Sequence, residues 1–386
     1  MMIDAIHHPI RLKKVSVYVY RYPVSTPVRT SFGVMHDRPA IFVQIQSETG
    51  AIGWGEIWCN FPACGAEHRA RLVESVIAPA LLGKSFDSPK DIFSFLTKTT
   101  QILGLQSGEI GPLAQAIAGI DIAIWDLVGN ELGLPLWKLF GGKSNQIKVY
   151  ASGINPDKPE EIVKQRLSEG HRSFKLKIGF DIKKDIENIR NVKAIINDLP
   201  LMVDANQAWN LETAKSNIAL LNNIDLDWIE EPIPVNYSEK DWRELSKTSK
   251  ADLAGGENFC GEIDFENGIS SKALGVIQPD IAKWGGFSGC IPVSQKILES
   301  NLRFCPHYLG AGVGLLASAH LLAAAGGDGK LEIDANENPL RSLTAGEVNI
   351  VHGGMVQLSN QPGLGVAINI AQLQPYLSYS NSKEAI

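Results

Sequence analysis

Between residues 143 and 339 the chain repeats one pattern: a short apolar run, then a helical stretch. The runs are IKVYAS near residue 147, SFKLK ending at Lys177, LMVD ending at Asp204 and WIEE starting at Trp228. ADLAGGE ending at Glu257, GVIQPD ending at Asp280, RFCPH ending at His307 and KLEID around Glu332 complete the set. Eight strands alternating with helices are the sequence form of a (β/α)₈ barrel, which typically takes about 250 residues. The pattern therefore predicts an α/β fold built on a TIM-like barrel.

The flanks read differently. Val15, Val17 and Val19, then Ile41, Val43 and Ile45, alternate with period two and predict two antiparallel strands joined by residues 21–39. Gly50 turns the chain into a third strand, Ala51 to Ile57. From Ala66 the pattern is helical, with Ile117, Ile120, Ile124, Leu127 and Val128 on one stripe, and the pair Gly141-Gly142 closes it. Strands followed by helices predict an α+β domain. The expected division is an α+β capping domain over 1–142, the barrel over 143–339, and a segment over 340–386 that returns to the capping domain. Within that last segment, residues 346–368 alternate again and are expected to pack on the first domain.

Composition narrows the function classes. No apolar run approaches the roughly 20 residues of a membrane span. The start, MMIDAIHHPIRLKK, lacks the apolar core and small-residue site of a secretory signal, so a cytoplasmic protein is expected. A net charge of −6 without a basic block argues against nucleic acid as the main partner. Cys59, Cys64, Cys260, Cys290 and Cys305 have neither zinc-site nor disulfide-framework spacing and read as reduced thiols.

The chemistry lies at the strand ends. Lys177, Asp204, Glu230, Glu257, Asp280, His307 and Glu332 follow one another at separations of 27, 26, 27, 23, 27 and 25 residues, one βα unit per step. In a (β/α)₈ barrel the carboxyl ends of the strands share one mouth, where catalytic groups gather. A single charged residue after a strand is an ordinary loop residue; seven at one period converge on one pocket. Asp204, Glu230 and Glu257 fall on consecutive strands, and three carboxylates in one cleft are costly unless a cation compensates them. Oxygen ligands without His or Cys favour Mg²⁺, with Mn²⁺ possible, over zinc. The alternative is a salt-bridge network with Lys175, Lys177 or Lys283.

Lys175 and Lys177 share one face of their strand. Two neighbouring ammonium groups near a cation depress each other's proton affinity, which would make Lys177 a base able to take a proton from carbon. Lys175 would offer fixed positive charge to a substrate carboxylate. Asp280 and His307, on neighbouring strands, suit a carboxylate that orients an imidazole. Glu332 would exchange a hydrogen bond with a developing oxyanion, and donating one requires it to be protonated.

Lys175-Leu176-Lys177, LMVDANQAW, WIEEP at 228–232, GGEN at 255–258 and PDIAKWGG at 279–286 together resemble the enolase superfamily. The Asp280–His307 pair and the late Glu332 resemble its mandelate racemase subgroup, within the wider mandelate racemase/muconate lactonizing enzyme family. The muconate-lactonizing and dipeptide-epimerase subgroup has a lysine where Asp280 stands. The resemblance extends to WGE at 54–56, DIAIWDLVGNELGLPLWKLFGG at 121–142 and PGLG at 362–365. It implies Mg²⁺ held by Asp204, Glu230 and Glu257, and chelation of a substrate carboxylate. It also implies abstraction of the adjacent proton to give an enediolate. It places Lys177 as the base on one face and His307 with Asp280 as base or acid on the other. Lys175 and Glu332 would hold the carboxylate oxygens, with Asn206 beside the metal. A dimer or octamer is implied by analogy.

Dehydration of an acid sugar is the leading expectation. Racemisation or epimerisation of a 2-hydroxy acid is the alternative, and a non-catalytic ligand-binding barrel ranks third. Specificity is expected from residues 23–39 and 58–64 closing over the mouth, with Arg29, Phe32, His36, Arg38, Trp58, Asn60 and Phe61 as candidates and Tyr308 beside them. The run Tyr308-Leu309-Gly310-Ala311-Gly312-Val313-Gly314 departs from the mandelate racemase pattern. It is either a close backbone approach to a ligand or a turn into the next helix.

Overall fold

The computed structural model describes residues 3, 6–30 and 33–385. Strands β1 (Ile10–Thr30), β2 (Gly33–Ser47) and β3 (Ile52–Ile57) form an antiparallel sheet. Alternation buries Val15, Val17 and Val19 on the face that meets the core. The predicted connection over residues 21–39 is a β-ribbon rather than a loop. The ladder runs on through Tyr22↔Arg38 and Pro23↔Asp37, breaks, and resumes from Val28↔Met35 to Thr30↔Gly33. The break spans Pro23 and Pro27, which have no N–H to donate; pairing resumes beyond them.

Helices α1 (Pro89–Ser107) and α2 (Ile110–Leu132) follow. The Ser88 hydroxyl caps α1 by accepting from the Asp91 N–H at 3.2 Å. The sheet lies directly on α2 because β3 carries glycines. A Cβ on Gly55 would stand 1.9 Å from the Gly119 carbonyl oxygen, and one on Gly53 2.0 Å from that of Ala123.

Against the expectation that no apolar run reaches spanning length, α2 is long and apolar enough on average to cross a membrane, with 72% of its apolar window buried. Gln115, Asp121 and Asp126 interrupt the run without lowering its mean hydropathy enough. Two of these interruptions stitch the molecule together. Asp126 accepts the Trp54 N–H at 2.8 Å and the Leu364 N–H at 2.7 Å. Asp121 accepts the Ser288 N–H at 3.0 Å. As in the core helix of a folded domain, α2 is packed on most sides.

The barrel strands are β4 (Gln146–Ile154), β5 (Phe174–Lys177), β6 (Leu201–Asp204), β7 (Trp228–Glu230), β8 (Asp252–Gly255), β9 (Val276–Ile277), β10 (Arg303–Phe304) and β11 (Leu331–Asp334). From β4 to β10 they pair in parallel in chain order, and β11 returns to β4. Helices α3 (Pro159–Ser168), α4 (Ile182–Ile196), α5 (Leu211–Leu221), α6 (Glu239–Thr248), α7 (Glu262–Ser270), α8 (Gly286–Glu299) and α9 (Gly312–Ala325) lie between successive strands. At the β10–β11 seam no ladder forms among the described residues. There Gly329 approaches the Phe304 carbonyl so closely that a Cβ would lie 1.8 Å from the oxygen. β11 is followed by one turn, Pro339–Ser342, in place of an eighth full helix.

Tyr150, Met202, Trp228, Ala254, Val276 and Cys305 fill the barrel interior as a separate buried cluster, each from a different strand or its end. A layered plug of this kind makes the barrel a packed core with its site at one mouth. The alternating stretch of residues 346–368 divides. Met355–Gln357 (β12) pairs antiparallel with β4, on the barrel rather than on the first domain. Leu364 reaches α2 through Asp126, and Leu377–Glu384 (β13) adds to the edge of β1.

Candidate active site

The strand-end residues come together as their spacing predicts. Lys177, Asp204 and Glu230 are register partners across β5, β6 and β7. Glu257 lies beyond β8, where Gly256 turns the chain at φ +124°. All seven are buried.

Each carboxylate meets a cation. The Lys175 ammonium donates to both Glu230 oxygens at 2.7 and 2.6 Å and stands 2.7 Å from Glu332 Oε1. Lys177 donates to Asp204 Oδ2 at 2.5 Å and to Asn206 Oδ1 at 2.7 Å. His307 donates through Nδ1 to Asp280 Oδ2 at 2.7 Å, and its Nε2 lies 2.5 Å from Glu257 Oε2. Lys283 donates to Asn258 at 3.2 Å and lies 3.7 Å from Glu257. The salt-bridge network considered from the sequence is thus present, built from the residues that also suit a metal.

This pairing corrects one expectation and favours one side of an open alternative. Lys177 does not have depressed proton affinity in this arrangement. Burial, the largest influence, and Lys175 pull its pKa down, but Asp204, Glu257 and Glu230 together outweigh them, so the net shift is upward. Of the two roles open to Glu332, donor and acceptor, this arrangement favours the acceptor. Burial pushes its carboxyl up, but Lys175, His307 and the Ser152 hydroxyl at 2.5 Å bring it down to about 2, so it acts as an acceptor. Its other oxygen accepts the Tyr308 N–H at 3.0 Å. His307 is raised to about 10: burial lowers it, and Glu257, Glu332 and Asp280 more than reverse this.

The residues fit a hard divalent cation by charge. Asp204, Glu230, Glu231, Glu257, Asp280 and Glu332 are buried here against Lys175, Lys177, Lys283 and His307, leaving two carboxylates in excess. The imbalance is visible at Glu230, which burial raises to about 7 despite Lys175. Oxygen donors and a surplus of two negative charges are what Mg²⁺ or Mn²⁺ requires. Among the described residues no three ligand side chains close on one point; Asp204, Glu230 and Glu257 are the ones that would have to exchange their lysine or histidine partner for the ion.

A cavity of about 250 Å³ lies over this set, lined by Lys177, Asn206, Glu257, Lys283 and His307 from the barrel and by Val28, Thr30, Met35, Arg38, Trp58, Asn60 and Phe61 from the capping domain. Trp58 stacks its ring 4.7 Å from the Lys283 ammonium. His36 is exposed and does not line the cavity, because it sits on the solvent side of the ribbon between Met35 and Arg38. Phe32 and the Arg29 side chain lie outside the described residues. The Tyr308 side chain also misses the cavity. Its ring fills the space left by two glycines, since a Cβ on Gly310 or Gly314 would stand 2.2 or 2.3 Å from its hydroxyl. The glycine-rich run is therefore a turn packed over Tyr308 at the start of α9.

Several site residues escaped sequence reasoning. Gln278 donates to Glu230 at 2.7 Å, and its position two before Asp280 on one strand face was an available signal. Glu231, at φ +38°, collects amide donors from Gln207 and Asn258 at 2.9 Å each. Asp334 and Asn336 reach the cavity from the end of β11. Nothing in their spacing separated them from ordinary strand-end residues.

Comparison with known proteins agrees with the geometry. The family model described as "Mandelate racemase / muconate lactonizing enzyme, N-terminal domain" matches residues 14–141, and "Enolase C-terminal domain-like" matches residues 159–372. A structure described as mandelate racemase/muconate lactonizing enzyme from Bordetella bronchiseptica RB50 is 48% identical. It superposes with a TM-score of 0.91, covering 96% of this chain and 100% of that one. The 3,6-anhydro-alpha-L-galactonate cycloisomerase of Streptomyces coelicolor is 30% identical over 370 residues, 94% of this chain and 98% of that protein. L-talarate/galactarate dehydratase from Salmonella typhimurium LT2, liganded with Mg and L-lyxarohydroxamate, is 26% identical with a TM-score of 0.85. That alignment covers 100% of this chain and 96% of that one.

Proposed function

The chain belongs to the mandelate racemase/muconate lactonizing enzyme family of the enolase superfamily, and from that premise we propose that it removes the proton next to the carboxylate of an acid sugar and expels an oxygen from the adjacent carbon. The observation that carries the substrate class is the cavity wall. Apart from the acid–base set it combines amides from Asn60, Asn206, Gln207, Asn258 and Asn336, the Thr30 hydroxyl and the Arg38 guanidinium with Val28, Met35, Trp58, Phe61 and Leu309. Such a wall offers hydrogen-bonding groups to the hydroxyls of a polyhydroxy chain and apolar surface to its carbon skeleton.

Asp204, Glu230 and Glu257 would hold Mg²⁺, which when bound supplies the Lewis-acid charge that makes the α-proton acidic enough to remove. Lys177 Nζ takes that proton, after giving up its own and loosening from Asp204. Lys175 keeps a positive charge beside the carboxylate, with Glu332 and Glu230 fixing its ammonium. His307, oriented by Asp280, stands on the other side with a proton to give. Delivered to a departing hydroxyl, that proton completes a dehydration. Delivered to a departing ring oxygen, it opens a ring, and the cycloisomerase relative favours keeping this variant. Delivered to the α-carbon, it inverts the centre. The presence of basic groups on both sides supports this racemase reading as second choice.

The test is a library of acid sugars and their lactones, incubated with enzyme and Mg²⁺ and assayed for 2-keto acids with semicarbazide. Keto acid from at least one member is expected. Exchange of the α-proton in D₂O without any keto acid would replace elimination by racemisation.

A further inference from the structure

The two sides of the site are scaffolded differently. Lys177 is held by Asp204 and Asn206, both from the barrel. The Asp280–His307 pair is held by the barrel and also by the end of β3 in the capping domain. Glu56, only 2% exposed, accepts the Ala311 N–H at 2.6 Å through Oε1 and the Gly314 N–H at 2.8 Å through Oε2. Gly314 lies in the first turn of α9, and Ala311 ends the turn that begins after His307. Asn60 donates to the Leu309 carbonyl in the same turn at 2.6 Å. Between them, the Trp58 N–H donates to the Ala282 carbonyl at 3.3 Å. The Ala282 N–H in turn donates to Asp280 Oδ1 at 2.8 Å, leaving Oδ2 for His307.

Residues 56–60 thus reach both loops that carry the pair. The strand they extend cannot shift easily, because Gly53 and Gly55 seat it directly on α2. A carboxylate accepting two backbone N–H groups at a helix start is a strong, directional contact. Its location in a different domain from the residue it supports has a mechanical consequence: the His307 side of the site is correctly built only when the capping domain is seated.

We propose that Glu56, with Asn60, is a positioning element for the Asp280–His307 pair, so that seating of the capping domain sets the His307 half of the reaction and leaves the Lys177 half intact. The proposal rests on the roles given to Lys177 and His307 above. Glu56→Gln keeps the shape but can accept only one of the two N–H groups, its own amide opposing the other.

Two measurements on Glu56→Gln test it, with Asn60→Ala as the milder variant should the first not fold. The first needs no substrate: the His307 Nδ1–H proton resonance, identified by its loss in His307→Asn. It is expected to shift or disappear in Glu56→Gln. The second is α-proton exchange in D₂O on the two C2 epimers of an acid sugar that the enzyme turns over. Exchange on the His307 side should fall about ten- to hundredfold, the scale of a small misplacement of a catalytic group, with the Lys177 side within about threefold. An unchanged His307 resonance, or equal loss on both sides, overturns the proposal. If no acid sugar exchanges in the wild type, the proposed function fails, and the resonance still decides the positioning role.

Discussion

Arg38 of the capping ribbon and Asp334 at the end of the last barrel strand form an ion pair across the domain boundary, each side chain only 2% exposed. Both also border the cavity. Removing one member of a buried pair strands the other charge and typically costs 3–5 kcal/mol, about the scale expected for Arg38→Met here. Replacing both by apolar residues removes the penalty, so Arg38→Met/Asp334→Leu is expected to be more stable than either single variant. Denaturant melts of the four proteins check this. A double variant as unstable as the sum of the singles would contradict the assignment of the loss to an uncompensated charge.

The seat of β3 on α2 makes a second prediction. Gly55→Ala places a Cβ 1.9 Å from a backbone carbonyl that cannot rotate away, so sheet and helix must separate. Overpacking of this kind costs about 1–3 kcal/mol or more. Gly111, in the first turn of α2, has nothing within 4 Å of the position its Cβ would take, and Gly111→Ala is expected to stabilise by up to about 1 kcal/mol through helix propensity. Thermal melts of the pair should move in opposite directions.

The barrel and its mouth are legible because a (β/α) unit has a nearly fixed length, so function at strand ends leaves a period in the sequence. Lys177, Asp204, Glu230, Glu257, Asp280, His307 and Glu332 all carry that period and all meet. What lacks a period is lost. Pro23 and Pro27 hide the ribbon over residues 21–39, and Tyr308 reads as a cavity residue because no spacing tells which way a side chain after a strand turns. Its direction follows from Gly310 and Gly314, whose missing Cβ atoms make room for the ring. Charge state is not legible either: Lys177 reverses its expected shift because carboxylates from other strands together outweigh burial and Lys175.

His320, fully buried in α9, gives a pH prediction away from the site. Its Nδ1 accepts the Trp137 N–H at 3.0 Å, so Nε2 carries the proton and donates to the Leu364 carbonyl at 3.2 Å. Burial lowers its pKa from 6.5 to about 4. Between those values the unfolded chain binds a proton that the folded one refuses. The stabilisation is therefore complete above about pH 6.5 and is lost as pH falls toward 4, by at most about 3 kcal/mol. Asp121 and Asp126, raised to about 7 by burial, slope the other way, so the comparison must be with a variant. The stability gap between wild type and His320→Leu should shrink from pH 7.5 to pH 5.5 in guanidinium melts. A gap that stays constant would place the His320 pKa near its ordinary value.

Metal binding and proton transfer should separate at Lys177 and Asp204. The Lys177 ammonium sits 2.5 Å from an Asp204 oxygen that the proposed site needs for Mg²⁺, so the two cations compete for one carboxylate. Lys177→Met removes the competitor and is expected to bind Mg²⁺ at least as tightly as the wild type. Asp204→Asn removes a ligand and should bind at least about tenfold more weakly, a loss near 1.4 kcal/mol. Lys177→Met should lose α-proton exchange on the Lys177 side, for want of a base, and Asp204→Asn on both sides, for want of the cation. Chelation of the wild type should abolish exchange reversibly, with Mg²⁺ restoring it. Titration calorimetry with Mg²⁺ reads the affinities directly. A Lys177→Met enzyme that binds Mg²⁺ as poorly as Asp204→Asn would show that the lysine supports the metal site rather than competing with it.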